Sequence, residues 1–136
     1  MIYKIPYLIS AIIIGLIIYQ SGFIAPSINK ILDKANASIY LRFIWPKFFL
    51  IIAFLSILIF IIFYFSQKNL LYPRYLSFGS FILMISSYLL IPLINNARDS
   101  ENNSLFFYLH LLSMLFTLLT LILNVLIIKF WNSNSW

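Results

Sequence analysis

The strongest constraint on this chain is the placement of its few charges. Nine Lys/Arg and three Asp/Glu stand among 136 residues. They fall at Lys4, Lys30, Asp33, Lys34, Arg42, Lys47, Lys68, Arg74, Arg98, Asp99, Glu101 and Lys129. Between them lie four charge-free intervals, Ile5 to Asn29, Phe48 to Gln67, Tyr75 to Ala97 and Asn102 to Ile128, of 25, 20, 23 and 27 residues. A helix needs roughly 20 mostly apolar residues to cross the hydrocarbon of a bilayer, where the backbone finds no hydrogen-bond partner outside itself. Four intervals therefore predict four spanning helices, about 5–26, 46–65, 74–94 and 104–129, in one domain covering 1–136.

Composition supports the same class. With 63% hydrophobic residues and a mean hydropathy of +1.02, the chain is too apolar for a water-soluble enzyme or a disordered linker. A nucleic-acid reader is excluded too, since its basic face must be bathed in water. The expected fold is all-α, an integral membrane bundle whose first partner is the lipid bilayer. A cleaved signal peptide competes for the first interval, but that run is long and lacks a small-x-small cleavage site. There is no Cys, so disulfides and thiolate chemistry are excluded.

Four crossings put both termini on one side, with Lys4, Lys68, Arg74 and Lys129. Lys30, Lys34, Arg42, Lys47 and Arg98 fall on the other. Four against five does not orient the bundle under the positive-inside rule; the three acidic residues all join the second group, which favours cytoplasmic termini. Richness in Ile, Phe, Asn and Lys points to an A+T-rich bacterial genome and thus to a bacterial cytoplasmic membrane.

Local signals refine the plan. Ala11, Gly15 and Gly22 share one face of the first helix, where another backbone is expected to approach. Ala25-Pro26 is expected to end that helix. Ile28, Ile31, Leu32 and Ala35 then recur at helical spacing, opposite Asn29, Lys30, Asp33 and Lys34, predicting a short amphipathic interfacial helix between the first and second spans. Ser38 is the expected cap of the following segment, Trp45 fits headgroup level, and Pro46 opens the second span. That span, with Ser56 and Tyr64 as its only hydroxyls, is expected to face lipid around much of its circumference.

The third and fourth helices carry polar stripes. Ser77, Ser80, Met84, Ser87, Ile91 and Asn95 follow steps of three and four, as do His110, Ser113, Thr117, Thr120 and Asn124. At about 100° per residue each set occupies one face. Such seams serve close packing and interhelical hydrogen bonds, or they line a cleft for a small ligand; both uses turn them inward, because Asn and His are costly against acyl chains.

His110 is the only imidazole. Its uses are a satisfied hydrogen bond, proton relay or metal ligation. Met114, one turn on, and Met84 would complete a soft site suited to Cu(I). Two His for haem would require a homodimer. No catalytic constellation is present: there are no paired intramembrane carboxylates, no nucleophile with its base and no phosphate loop. Asp99 and Glu101 read as solvated charges in a polar link.

Three segments taken together carry a resemblance: Ser21-Gly22-Phe23-Ile24-Ala25-Pro26, Phe43-Ile44-Trp45-Pro46-Lys47-Phe48-Phe49, and Tyr108-Leu109-His110-Leu111-Leu112-Ser113-Met114-Leu115. The chain resembles the transmembrane protein 205-like family, also called domain of unknown function 4149. In that family a Gly and an Ala-Pro end the first helix, an aromatic-Pro step precedes the second, and Leu-His-x-x-Ser opens the last. The resemblance singles out Gly22, Pro26, Pro46, His110 and Ser113, and the Arg98-Asp99 pair is similar. Thr117 stands where the family often has Asn. The resemblance implies a compact four-helix membrane protein and no particular activity. A more distant likeness, to membrane protoporphyrinogen oxidases and copper-resistance proteins, falters because Ser27-Ile28-Asn29 after Pro26 contains no His.

The resulting expectation is a non-enzymatic membrane protein whose third and fourth helices form a polar interface or small binding cleft. The alternatives are a haem- or copper-handling protein using His110 and an accessory subunit or homo-oligomer within a larger membrane complex.

Overall fold

The computed structural model describes residues 4–66 and 70–134, with side chains as far as 131. Lys68, expected near the headgroups, lies outside the described residues. The chain forms α1 (Ile5–Tyr19), a π-helical turn (Gln20–Ile24), α2 (Ala25–Ile31), α3 (Lys34–Phe65), α4 (Leu71–Asp99) and α5 (Asn103–Asn134). α1, the π turn and α2 form one continuous rod, so the described residues contain four helices long and apolar enough to span a membrane. The protein is an integral membrane bundle.

α1 packs on α3 and α5, and α4 packs on the same two helices from the other side. Ile13, Ile17, Ile52, Ile59, Phe63, Met84 and Ile127 form the centre of the core. The outer faces carry large apolar side chains such as Ile12, Phe54 and Leu89, more than half exposed in each case, as lipid contact requires. At one end Tyr7 meets Phe63 and Trp131, with ring centroids 5.8 and 5.2 Å apart. The start of α1 and the last turns of α5 therefore lie at the same end of the bundle, and the α2–α3 and α4–α5 connections lie at the other.

Proline shapes the first rod differently from the expectation. Pro26 does not end the helix; it changes the turn before it. Its ring has no N–H to give and would clash with the carbonyl four residues back. The backbone widens instead, and the Ala25 N–H reaches the Gln20 carbonyl, five residues back, the hydrogen-bond pattern of a π turn. The expected interfacial helix over 28–35 does not form as a separate element. Ile28 and Ile31 belong to α2, the chain extends at Leu32 (φ −95°, ψ 149°), and Ala35 lies in the first turn of α3.

The cap of α3 is Asp33 rather than Ser38. Its carboxylate accepts from the Asn36 backbone N–H at 3.4 Å and from the Asn36 side chain at 2.5 Å, meeting donors that the first turn leaves free. The Asn36 side-chain hydrogen bond holds the Asp33 carboxyl below the usual carboxylate range. From there α3 runs unbroken through Pro46, and α4 through Pro92. In an apolar medium a break would strand several backbone groups, whereas an internal proline strands one carbonyl. Of the four spans, α3 is the most buried, through Phe48, Phe49, Ile52, Ala53, Ser56, Ile59 and Phe63, although faces such as Phe54 and Ile61 remain lipid-exposed.

The ends of α3 and α4 are closed by side chains and turn geometry. Arg74 donates to the Phe63 carbonyl at 3.1 Å and lies over the Tyr64 ring, covering the last turn of α3 with a cation. Beyond α4, the Asn102 N–H reaches the Ala97 carbonyl and the Glu101 N–H the Arg98 carbonyl. This Schellman turn puts Glu101 at φ 56°, a position that favours glycine. Asn102 then caps α5 by accepting from the Leu105 N–H at 3.2 Å.

Candidate functional site

Most of the α4 and α5 stripe is buried, but Ile91 and Asn95 are only partly so and His110 is exposed, and the stripes divide into two parts with different surroundings. In the half farther from the α4–α5 connection, Ser77, Ser80, Met84, Ser87, Thr120 and Asn124 are all fully buried. Their hydroxyls turn mostly to their own helices: Ser77 to Arg74 O, Ser80 to Leu76 O and Thr120 to Phe116 O, at 2.8–3.1 Å. One bond crosses the interface, from Asn124 Nδ2 to Ser80 Oγ at 3.3 Å, while the same nitrogen also donates to Thr120 O at 2.9 Å. Nearby, a Cβ built on Gly79 would meet Leu123 Cδ1 at 3.4 Å. This half is a close-packed contact, made by small side chains rather than by a ladder of interhelical bonds.

The other half opens. Asn95, His110, Ser113 and Thr117 border a cavity of about 540 Å³, within the usual range for small-molecule sites. It lies at the end of the bundle that carries the α2–α3 and α4–α5 connections. From Phe106 to Leu121 it runs fifteen residues along α5, about 22 Å at 1.5 Å per residue. Thr117 donates to its own Ser113 carbonyl at 2.9 Å. His110 stacks on Phe106, with centroids 5.6 Å apart. The inner wall is apolar, formed by Ile17, Phe49, Ile91, Leu118 and Leu121; the outer end carries Asn29, Ser38, Arg42, Asn95 and Arg98.

The α1–α2 rod supplies the remaining wall at its π turn, where Ser21, Gly22 and Ala25 line the cavity. A π turn widens a helix locally and is frequent at functional sites. Gly15 and Gly22 do not admit a neighbouring backbone, as their spacing with Ala11 had suggested: a Cβ on either would meet nothing within 4 Å. Gly22 borders open space. Pro26 is exposed on α2, and Pro46 is half-buried within α3 beside the cavity-lining Trp45.

The proposed soft-metal set does not assemble. His110 and Met114 line the cavity, but Met84 is sealed in the core and does not. Among the described residues, no group of three or more His, Cys, Asp or Glu is placed to hold a metal ion.

Neither Arg42 nor Arg98 was given a site role by the sequence, where both stood as flanking charges and Arg98-Asp99 as part of the resemblance. Arg42 on α3 and Asp99 at the end of α4 form a two-pronged ion pair, with Nη1 to Oδ2 at 3.1 Å and Nη2 to Oδ1 at 2.5 Å. Asp99 is thus a partner of a residue 57 positions away, rather than a merely solvated charge. Arg98 lies over the Phe106 ring at 5.1 Å and has no ion pair among the described residues. The available signal was sidedness, since all three belong to the same group of membrane-flanking charges. Ser10, Gln20 and Ser56 are further buried polar residues outside the predicted stripes. The Ser10, Ser56 and Ser87 hydroxyls, Gln20 Nε2 and Asn124 Oδ1 lack hydrogen-bond partners among the described residues.

Comparisons with protein-family models, curated proteins and solved structures find no match to this chain.

Proposed function

We propose that this is a non-enzymatic binding protein of the membrane, whose lateral cavity accepts a small amphiphilic molecule. The carrying observation is the division of the stripes: Ser77, Ser80, Ser87, Thr120 and Asn124 are fully buried and line no cavity, while Asn95 and His110, with the largely buried Ser113 and Thr117, line one. A seam needed for packing alone has no use for the second half. An apolar wall closed at one end by a few polar groups suits a ligand that is greasy at one end and polar at the other. The resemblance of the Gly22–Pro26, Trp45-Pro46 and His110–Ser113 segments supports membership of the transmembrane protein 205-like family. The composition and the charge distribution support a bacterial cytoplasmic membrane with both termini inside.

The test uses Trp45, which lines the cavity. With Trp131 and Trp136 replaced by Phe, Trp45 is the sole indole, and its fluorescence is followed as a bromine-labelled single-chain amphiphile is added to protein in phosphatidylcholine nanodiscs. Saturable quenching is expected, and it should be lost in Gly22→Phe and Ala25→Phe, which place a ring in the cavity. Quenching that rises linearly and equally in all three proteins would mean that Trp45 merely samples bulk lipid, and the reading would fail.

A further inference from the structure

We infer that the cavity selects a single-tailed amphiphile with an anionic head, of the phosphate-monoester type. This rests on the binding reading above and adds to it the ligand's charge and its orientation. The charged groups lining the cavity are Arg42 and Arg98, both at the outer end. Only one carboxylate, Asp99, is paired there, and it is taken by Arg42. The outer end is therefore left with an excess positive charge, carried by Arg98.

The donors are positioned for an oxyanion. Arg98 is braced over Phe106, which leaves its planar fork of N–H groups without a carboxylate. Arg42 retains a buried Nε–H that has no acceptor among the described residues, so its pairing with Asp99 does not use its full donor capacity. Asn95, one turn before Arg98 on α4, and His110 on α5 line the same region. Guanidinium groups match the geometry of phosphate oxygens and lose less hydration than an ammonium would. Basic pockets between spanning helices near a membrane face are suited to anionic head groups.

The tail follows from the opposite end. Ile17, Phe49, Leu118 and Leu121 make the inner wall mostly apolar, and the Thr117 hydroxyl there already donates to its own Ser113 carbonyl, so a free inorganic anion would leave most of the cavity unfilled. At about 540 Å³ the space is that of a drug-sized molecule, which favours one chain with its head over a diacyl lipid. The head would lie between Arg98 and Arg42, and the chain would run inward past Trp45 toward Thr117.

The experiment titrates the Trp45-only protein, in phosphatidylcholine nanodiscs, with dodecyl phosphate, an uncharged dodecyl glycoside and inorganic phosphate. Dodecyl phosphate is expected to bind saturably and at least tenfold more tightly than the glycoside, with inorganic phosphate competing weakly. Arg98→Gln should remove that tenfold preference, so that dodecyl phosphate and the glycoside bind this variant alike, with the helical circular dichroism retained; Arg98→Lys should restore part of the preference. Equal binding of phosphate and glycoside, unchanged in Arg98→Gln, would overturn the charge assignment while leaving the binding cavity standing. Saturable binding of neither amphiphile would overturn both. Inorganic phosphate competing as strongly as dodecyl phosphate would overturn the amphiphile in favour of a free anion.

Discussion

Ser80 tests the closed half of the seam because it separates packing from hydrogen bonding at one position. It is fully buried, bonded to its own Leu76 carbonyl at 3.1 Å and accepting from Asn124 Nδ2 at 3.3 Å. Ser80→Ala removes one long interhelical bond, while Asn124 Nδ2 keeps Thr120 O. Interhelical bonds in membranes average about 0.6 kcal/mol, and that is the expected loss. Ser80→Leu removes the same bond and forces a larger side chain into a closed contact, which adds about 1–3 kcal/mol of overpacking. The total is about 1.6–3.6 kcal/mol. Leu89→Ala, on an outward face, should stay within about 0.5 kcal/mol. Unfolding of the detergent-solubilised protein by sodium dodecyl sulfate, followed by circular dichroism, gives all three differences. If Ser80→Leu unfolds with the same midpoint as Leu89→Ala, the α4–α5 contact is not closed and the packing argument is wrong.

Other regions give independent tests. Arg74→Gln should weaken the α3 terminus by about 1.5–3 kcal/mol through loss of the charged bond to Phe63 O, read by the same unfolding assay; no change would show that Arg74 is not its cap. Glu101→Gly should stabilise the protein by about 0.5–1 kcal/mol, because the positive φ at that position strains a side chain but not glycine; destabilisation would contradict the turn. The Asp33 carboxyl should titrate below its unfolded-state value by carbon-detected NMR and return toward it in Asn36→Ala. A depressed folded-state value means that the cap favours folding above the unfolded-state pKa and loses this contribution as pH falls through the folded value; an unperturbed midpoint in the wild type would refute the cap.

The spans were legible because charges are excluded from hydrocarbon, so their spacing measures the bilayer directly. The α4 and α5 faces were legible because a polar stripe at helical period has an unfavourable side and a favourable one, and both Ser87 and Thr120 lie on the favourable side. Helix ends were less legible. Pro26 and Pro46 read as boundaries by rules learned in water, whereas lipid makes continuing the helix less costly than leaving it. The Asp33 cap was hidden by an amphipathic pattern that spans the break at Leu32, and Ser38 offered an equally plausible cap chemistry. The cavity was not legible at all. Periodicity gives the face on which Ser113 and Thr120 stand but not how far apart the neighbouring helices lie, and that separation makes one a lining residue and the other a packed one. Arg42 with Asp99 is likewise a tertiary pairing that no local pattern encodes.

The division of the polar stripes into an open and a closed half can be measured by thiol accessibility, since the chain has no cysteine of its own. Single substitutions Asn95→Cys and His110→Cys at the cavity, and Ser87→Cys and Thr120→Cys in the sealed seam, are each exposed to N-ethylmaleimide in nanodiscs. The first pair is expected to react and to be protected by the amphiphile, and the second pair to resist until the protein is denatured. Reaction of Ser87→Cys and Thr120→Cys at the rate of the cavity pair would contradict the account.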